Sequence, residues 1–511
     1  MNTFALPRTL IIFAVVIPVA LVLGYVLASP EELTSIAVVG LVLLVLCIPL
    51  LLKWHYPILL FSWNAGLIIF LLPGQPGLWM LMAGVSLGLT ILAYLLNKQS
   101  GFQILPSITF PLMFLVLVVL VTGKLTGGIG LRSLGGESFG GKKLVFIFAA
   151  IVGYFAISGR RIFPHNIGRY TGLYFLSALT TALPNLIYMA GPGLWWLFMF
   201  FPSDMAMSQA MDDFASVAGS VTFSRLSGLA FAGFGVYSFM LMRYGISGIL
   251  QLNRWWRPLL FLVVVSLSTL GGFRSVLVMF ALTFMVQFYF EGLFRTRFLL
   301  VLILGVVLGG SFLVMFAERL PLSVQRSLSI LPIKIDPVAR YNAEASVEWR
   351  VEMWKVLLPQ VPQYLILGKG YAIDPTDMYL VGESVRRGLA KDYEVSLLAG
   401  DYHNGPLSVI IPFGIFGMAA FIWLLAAGVR VLYRNYRFSD PALQKVNTFL
   451  LSYFVGRSVF FFVGFGSLHS DLSLFLGTLG LSVALNGVRN ERSAPVAVPA
   501  QAEMLPAPVP S

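Results

Sequence analysis

The sequence predicts an all-α, polytopic membrane helical bundle with one large loop on one side. Three observations predict it. Of 511 residues, 58% are hydrophobic and only 11% are charged, too few charges to keep a soluble surface of this size hydrated. Apolar runs of about 15–22 residues recur along most of the chain, close to the roughly 20 that a helix needs to cross hydrocarbon. Lipid offers no water to peptide groups, so such runs must be helical.

Taken in order, the spans fall near residues 10–28, 34–52, 56–72, 78–96, 108–122, 144–158, 171–189, 226–248, 258–270, 275–290, 298–316, 406–433, 446–466 and 470–487, which is about 12–14 transmembrane helices. The first run follows Arg8 and ends near Val26 and Ala28. It reads as an uncleaved first helix, with a signal peptide as the alternative. The 258–290 stretch reads as two spans or as one bent at Gly271-Gly272. Four regions follow: N-terminal helices 1–257, a core 258–434 that includes the loop 317–402, C-terminal helices 435–490, and a Pro/Ala-rich tail 491–511 expected to be disordered.

The charge of +12 is a topology signal and not a nucleic-acid footprint. Alternate connections carry Lys53, Lys98, Arg160, Arg161, Arg254, Arg257, Arg295, Arg297, Arg430, Arg434 and Arg437. The connections between them are mostly acidic or neutral, with 123–143 as the main exception. Lysine and arginine collect on the cytoplasmic side of membrane proteins, so both termini are expected in the cytoplasm. Cys47 is the single cysteine, and His55, His165, His403 and His469 lie far apart. That excludes an intrachain disulfide and a metal site of HExxH type, and no metal or cofactor is expected.

Three connections stand out. Residues 123–143 are glycine-rich and read as a flexible outer loop. Residues 190–225, with Trp195 and Trp196, suit an interfacial or re-entrant segment. Residues 317–402 hold ten basic and eleven acidic residues and read as a folded, solvated insertion. Loops of that length are usually functional.

Four residues carry the candidate chemistry. His403, in DYHNGPLSVIIPFGIFG (401–417), stands where the large loop re-enters the membrane. Asn404 or Gly405 can cap the next helix and Pro406 suits its first turn. A neutral imidazole beside a helix N-terminus can take a proton from a hydroxyl; the plainer reading is an interfacial histidine ending a loop. Arg350 lies in a helix whose apolar stripe reads Val347, Val351, Trp354 and Leu358. A guanidinium on that side must snorkel, pair with glutamate, or hold an anion. Arg274 follows two glycines at an outer helix junction, free either to snorkel or to meet a ligand. Arg350 and Arg274 together can clamp a diphosphate. Arg457 lies in mid-span, where charge is functional or held by a bundle-internal hydrogen bond.

These residues resemble the O-antigen ligase and polymerase family. The shared pattern is a late large loop ending in His403-Asn404, followed after nine residues by Gly414-Ile415-Phe416-Gly417. Gly272-Phe273-Arg274-Ser275 is similar to the family's arginine after a small-residue turn, which commonly reads Ser-Arg. An arginine-tryptophan helix (Arg350, Trp354) and Gly368-Lys369-Gly370 complete the resemblance, which spans roughly 258–420. It implies a GT-C-like glycosyltransferase of the inner membrane that is independent of metal. The donor would be a glycan on undecaprenyl diphosphate, and the acceptor a glycan or lipid A core at the periplasmic face. His403 would be catalytic and Arg274, Arg350 and Arg457 would bind diphosphate. Asn404, Gly414, Gly417 and Trp354 would support them. Ligase and polymerase remain alternatives, and a lipid-linked glycan flippase is the rival from another class.

Overall fold

The computed structural model describes residues 33–72, 74–96, 102–129, 140–217 and 224–487, with three isolated residues nearer the N-terminus. Almost all of the run 10–28, the middle of the glycine-rich stretch and the tail 491–511 lie outside the described residues. Among the described residues no strand forms, and a single isolated bridge pairs Ile68 with Gly77.

Among the described residues ten helices are long and apolar enough to cross a membrane, and two shorter apolar helices, Trp256–Gly271 and Arg274–Phe290, join them. In chain order they are α1 (Leu33–Asn64), α2 (Leu78–Leu96), α3 (Pro106–Thr126), α4 (Gly141–Ser158), α5 (Pro164–Ala190), α6 (Asp204–Val217), α7 (Ser227–Ile249), α8 (Trp256–Ser268), α9 (Arg274–Phe290) and α10 (Arg297–Phe316). The large loop holds α11 (Leu322–Leu328), α12 (Pro337–Leu357), α13 (Pro375–Arg386) and α14 (Tyr393–Ala399). The bundle closes with α15 (Gly405–Phe438), α16 (Gln444–Val463) and α17 (Leu468–Asn486). Helix α6 is an end piece between two spans, not a crossing.

One sequence expectation fails at the start. The spans 34–52 and 56–72 are a single helix, α1, that ends at Asn64. The apolar residues 65–72 continue as a loop because other elements take their polar groups. Asn64 donates to the Tyr174 carbonyl at 2.7 Å, Gly66 N to Thr180 Oγ1 at 2.9 Å, and Ile68 N to the Phe200 carbonyl at 3.0 Å. Hydropathy cannot see such partners.

Successive spans alternate in direction, so the connections fall into two sets. Contacts bear this out at one end: Leu226 N meets the Leu270 carbonyl, and Arg326 reaches the Gly272 carbonyl. At the other end Ile162 N meets the Ala484 carbonyl, and Asn447 pairs with Asn486 at 2.9 Å. That second end carries Arg160, Arg161, Arg254, Arg257, Arg295 and Arg437.

Two helices break inside the bundle, and each break is repaired. At Gly245 (φ +68) in α7, Glu291 accepts from Ile246 N at 2.8 Å and Ser247 N at 3.1 Å. At Gly414 (φ +61) in α15, the Ile411 and Pro412 carbonyls accept from Lys369 N (2.7 Å) and Gly370 N (3.0 Å), while Ile415 N donates to Leu365 O at 2.7 Å. Unpaired peptide groups at membrane depth are costly, so broken helices persist only with such partners. A side chain at Gly414 would place Cβ 2.5 Å from the Ile366 carbonyl. The described ends of the glycine-rich stretch are packed, not loose: a Cβ on Gly140 would stand 1.7 Å from the Tyr371 carbonyl.

Candidate functional site

A cavity of about 870 Å³ opens where the large loop meets the connections at the non-basic end. His403, Arg274, Arg350, Arg457 and Trp354 all line it, although 183 residues of sequence separate the first arginine from the last. Arg225 and Arg326 line it too. No carboxylate does, among the described residues. The remaining wall is largely aromatic, with Trp63, Trp79, Tyr174, Phe234 and Phe465 among its members.

Each charged group has a structural reason for its place. Helix α12 begins with Asp336 capping Val338 N at 2.8 Å and Pro337 in its first turn. Its buried row is Ala339, Ala343, Met353 and Leu357, in steps of four, ten and four that follow the helical repeat. This corrects the expected stripe: Val347 and Val351 are exposed. Arg350 falls in the middle of the buried row, with Nε buried and without a hydrogen-bond partner. Small Ala339 and Ala343 bring α12 close to its neighbours, and the Ala343 carbonyl accepts from Arg274 Nη2 at 2.9 Å.

Arg326 was not singled out from sequence. It is buried and ties three pieces together. Nε donates to Asn342 Oδ1 at 2.6 Å, Nη2 to Ser346 Oγ at 3.0 Å, and Nη1 to the Gly272 carbonyl in the turn before Arg274. Burial, with Arg225, Arg274 and Arg350 nearby, pushes its pKa down to about 10, so it stays charged at neutral pH. Burial and Arg274 lower the pKa of Arg350. Such mutual repulsion marks a cluster that lacks its counter-ion.

The other two arginines differ. Arg225 is bidentate to Asp212, at 2.9 and 3.1 Å. Arg457 is paired with Asp471, which also accepts from Ser467 N at 2.8 Å. Neither of these two carboxylates is among the residues that line the cavity. Arg457 therefore has the bundle-internal partner of the plainer sequence reading, while its side chain still borders the cavity.

His403 sits at φ +50, in the left-handed region that costs a non-glycine residue about 1–3 kcal/mol and recurs at functional positions. Trp349 and Phe465 flank its ring, with centroids 5.2 and 5.3 Å away. Nδ1 is buried without a hydrogen-bond partner among the described residues. Burial first, then Arg350, holds its pKa below the ordinary 6.5, so the imidazole is neutral and able to accept a proton at neutral pH. Asn404 caps α15, accepting from Leu407 N at 3.1 Å. Trp354 Nε1 donates to the Tyr402 carbonyl at 2.8 Å, which links α12 to the histidine turn.

Gly414 and Gly417 do not border the cavity. Gly414 forms the helix break that seats residues 365–370, and Gly417 packs tightly on Phe413. Asn404 likewise acts as a helix cap. These three residues build the scaffold around the pocket.

Residues 259–422 match the family model described as O-antigen ligase. No curated protein matches the chain. The matched region holds Arg274, Arg326, Arg350, Trp354, His403, Gly414 and Gly417, and the general class that the match supports is ligase- or polymerase-type glycan transfer at a membrane. Arg225, Arg457, Trp63 and Trp79 lie outside it, so helices before and after that region complete the cavity.

The residues missed from sequence, Arg225 and Arg326, have no local signature. Arg225 pairs 13 positions back and Arg326 bonds 54 positions back. One signal was available: Arg326 is a charged residue on a seven-residue helix between Leu322 and Leu328, in the loop already singled out as functional.

Proposed function

We propose that this protein transfers a glycan from undecaprenyl diphosphate to an acceptor hydroxyl at the periplasmic face of the inner membrane. The observation that carries the reading is one cavity lined by a neutral histidine and by Arg274, Arg326 and Arg350, with no carboxylate in its wall and none ion-paired to those three arginines among the described residues. The basic end of the bundle fits the cytoplasm by the positive-inside rule, which leaves the cavity facing the periplasm.

In this mechanism the donor's diphosphate rests on Arg274 and Arg350, with Arg326 holding both of their elements in register. His403 takes the proton of the acceptor hydroxyl as its oxygen attacks the anomeric carbon. The bond from that carbon to the diphosphate oxygen breaks, and undecaprenyl diphosphate leaves with the electron pair. Its growing charge is met by guanidiniums that need no reorganisation. Among the described residues of the wall, arginine supplies the charge that balances a diphosphate. The aromatic wall at Trp63 and Trp79 suits the apolar face of a sugar ring.

The deciding experiment is transfer from a defined undecaprenyl-diphosphate-linked glycan in a purified, reconstituted system. His403→Ala should lose about 10²–10⁴-fold in rate while eluting as a folded protein. Wild-type rates from that variant would sink the assignment. Ligase and polymerase differ in acceptor alone. In a deletion strain, loss of all capped lipopolysaccharide indicates a ligase, and retention of a single capped repeat indicates a polymerase.

A further inference from the structure

We propose that Lys143, from helix α4, is a positioning residue for His403, locking the turn that carries the imidazole from outside the matched region 259–422. This inference rests on the general-base reading of His403.

A strained residue persists only when its surroundings over-determine it. His403, at φ +50, therefore needs clamps on both sides. Downstream, the Asn404 cap and α15 supply one. Upstream, Trp354 holds the Tyr402 carbonyl. The remaining clamp is the Lys143 ammonium, which donates to the Ala399 carbonyl at 2.6 Å and to Asp401 Oδ1 at 2.7 Å. Asp401 N in turn donates to the Ser396 carbonyl at 2.8 Å, and the Tyr371 ring lies 5.4 Å from Nζ. Lys143 is 14% exposed and Asp401 45%. A nearly buried ammonium spends its donors on the two residues that open the turn. It is anchored there because Gly140, one turn earlier, packs directly on Tyr371.

Position is half of the role, and charge is the other half. Three charged groups act on His403: Arg350 from α12 and Lys143 from α4, which disfavour its protonated form, and Asp401 on its own turn, which favours it. His469, at the start of α17, feels the same Lys143 and Asp401 together with Asp471. Lys143 and Asp401 thus form one structural clamp with opposite electrostatic signs. Loss of either loosens the turn. Only an electrostatic role makes the two losses move the histidine in opposite directions.

The test is the pH dependence of kcat/KM for transfer from a synthetic undecaprenyl-diphosphate-linked glycan by the full-length, reconstituted protein. Wild type should show an acid limb below pH 6.5, the ordinary histidine value. Lys143→Met should lower kcat roughly tenfold to a hundredfold, as expected for a misplaced catalytic group, with KM little changed and the acid limb moved to higher pH. Asp401→Asn should move the limb to lower pH. Lys143→Arg, which keeps charge and donors, should keep the wild-type limb. If Lys143→Met does not fold, the half-exposed Asp401 site still gives its limb shift. Variants that lose rate without moving the limb, or that move it in the same direction, overturn the proposal. A wild-type profile without an acid limb, or an active His403→Ala, sinks the base reading itself.

Discussion

Two kinds of buried arginine meet in this molecule. Arg457, deep in the bundle, is paired with Asp471, whose other oxygen is held by Ser467 N. Arg350, in the loop above, forms no ion pair among the described residues and has Arg274 and Arg326 as its neighbours in charge. Both border the same cavity, so position does not distinguish them. Charge balance does. A membrane interior tolerates a guanidinium when the protein supplies the counter-ion; a solvated loop can leave that counter-ion to a ligand. The difference separates an arginine whose charge the fold balances from one whose charge is left, in the proposed mechanism, to an anionic substrate.

The comparison can be broken by experiment, beginning with the largest effect. Arg457→Ala strands the buried Asp471 carboxylate and should cost about 3–5 kcal/mol of stability, read as a fall in thermal unfolding temperature in detergent. Asp471→Asn added to it should recover part of that loss. Arg350→Ala should leave unfolding nearly unchanged and lower the transfer rate about 10²–10³-fold, the usual cost of removing one donor to a developing anion. Arg350→Lys should remain poor, because an ammonium cannot make the two-pronged contact. If Arg457→Ala keeps its stability and Arg350→Ala loses it, the two roles are assigned the wrong way round. Arg326→Met leaves Asn342, Ser346 and the Gly272 carbonyl without their donor, a loss of about 1–3 kcal/mol, and should lower both readouts together. Trp354→Phe removes one hydrogen bond to the Tyr402 carbonyl and should cost about 0.5–1.5 kcal/mol, with a reduced kcat as the histidine turn loosens. A Trp354→Phe variant of full activity would show that turn to be held elsewhere.

How much of the site was legible follows from the same physics. His403, Arg350 and Arg274 stood out because each broke a local pattern: a polar group at a helix start, on an apolar face, or after a glycine turn. Arg457 broke a pattern too, and the structure gives it a partner 14 residues away in the next helix. Arg326 and Lys143 broke none. Their partners lie 54 and 258 positions away, beyond any periodicity. The glycines of the G-x-x-G element were read as site support, and Gly414 serves by opening a helix so that residues 365–370 can pair with it. Helix α10, with no buried residue, is the opposite case: hydropathy alone marks its apolar run, because most of its surface stays open and only a few side chains such as Leu299, Leu302 and Leu313 pack on the rest of the protein.

By itself the sequence determined that the chain is a helical membrane bundle, where most crossings fall, and which large loop lies between them. Those properties are set by hydrocarbon thickness and by peptide groups that must pair within their own segment, and both act over some twenty consecutive residues. Only the tertiary structure decided where α1 stops, which face of α12 is buried, and which arginines already own a counter-ion. Those depend on contacts between residues far apart in the chain, made through side chains whose partners have no fixed spacing.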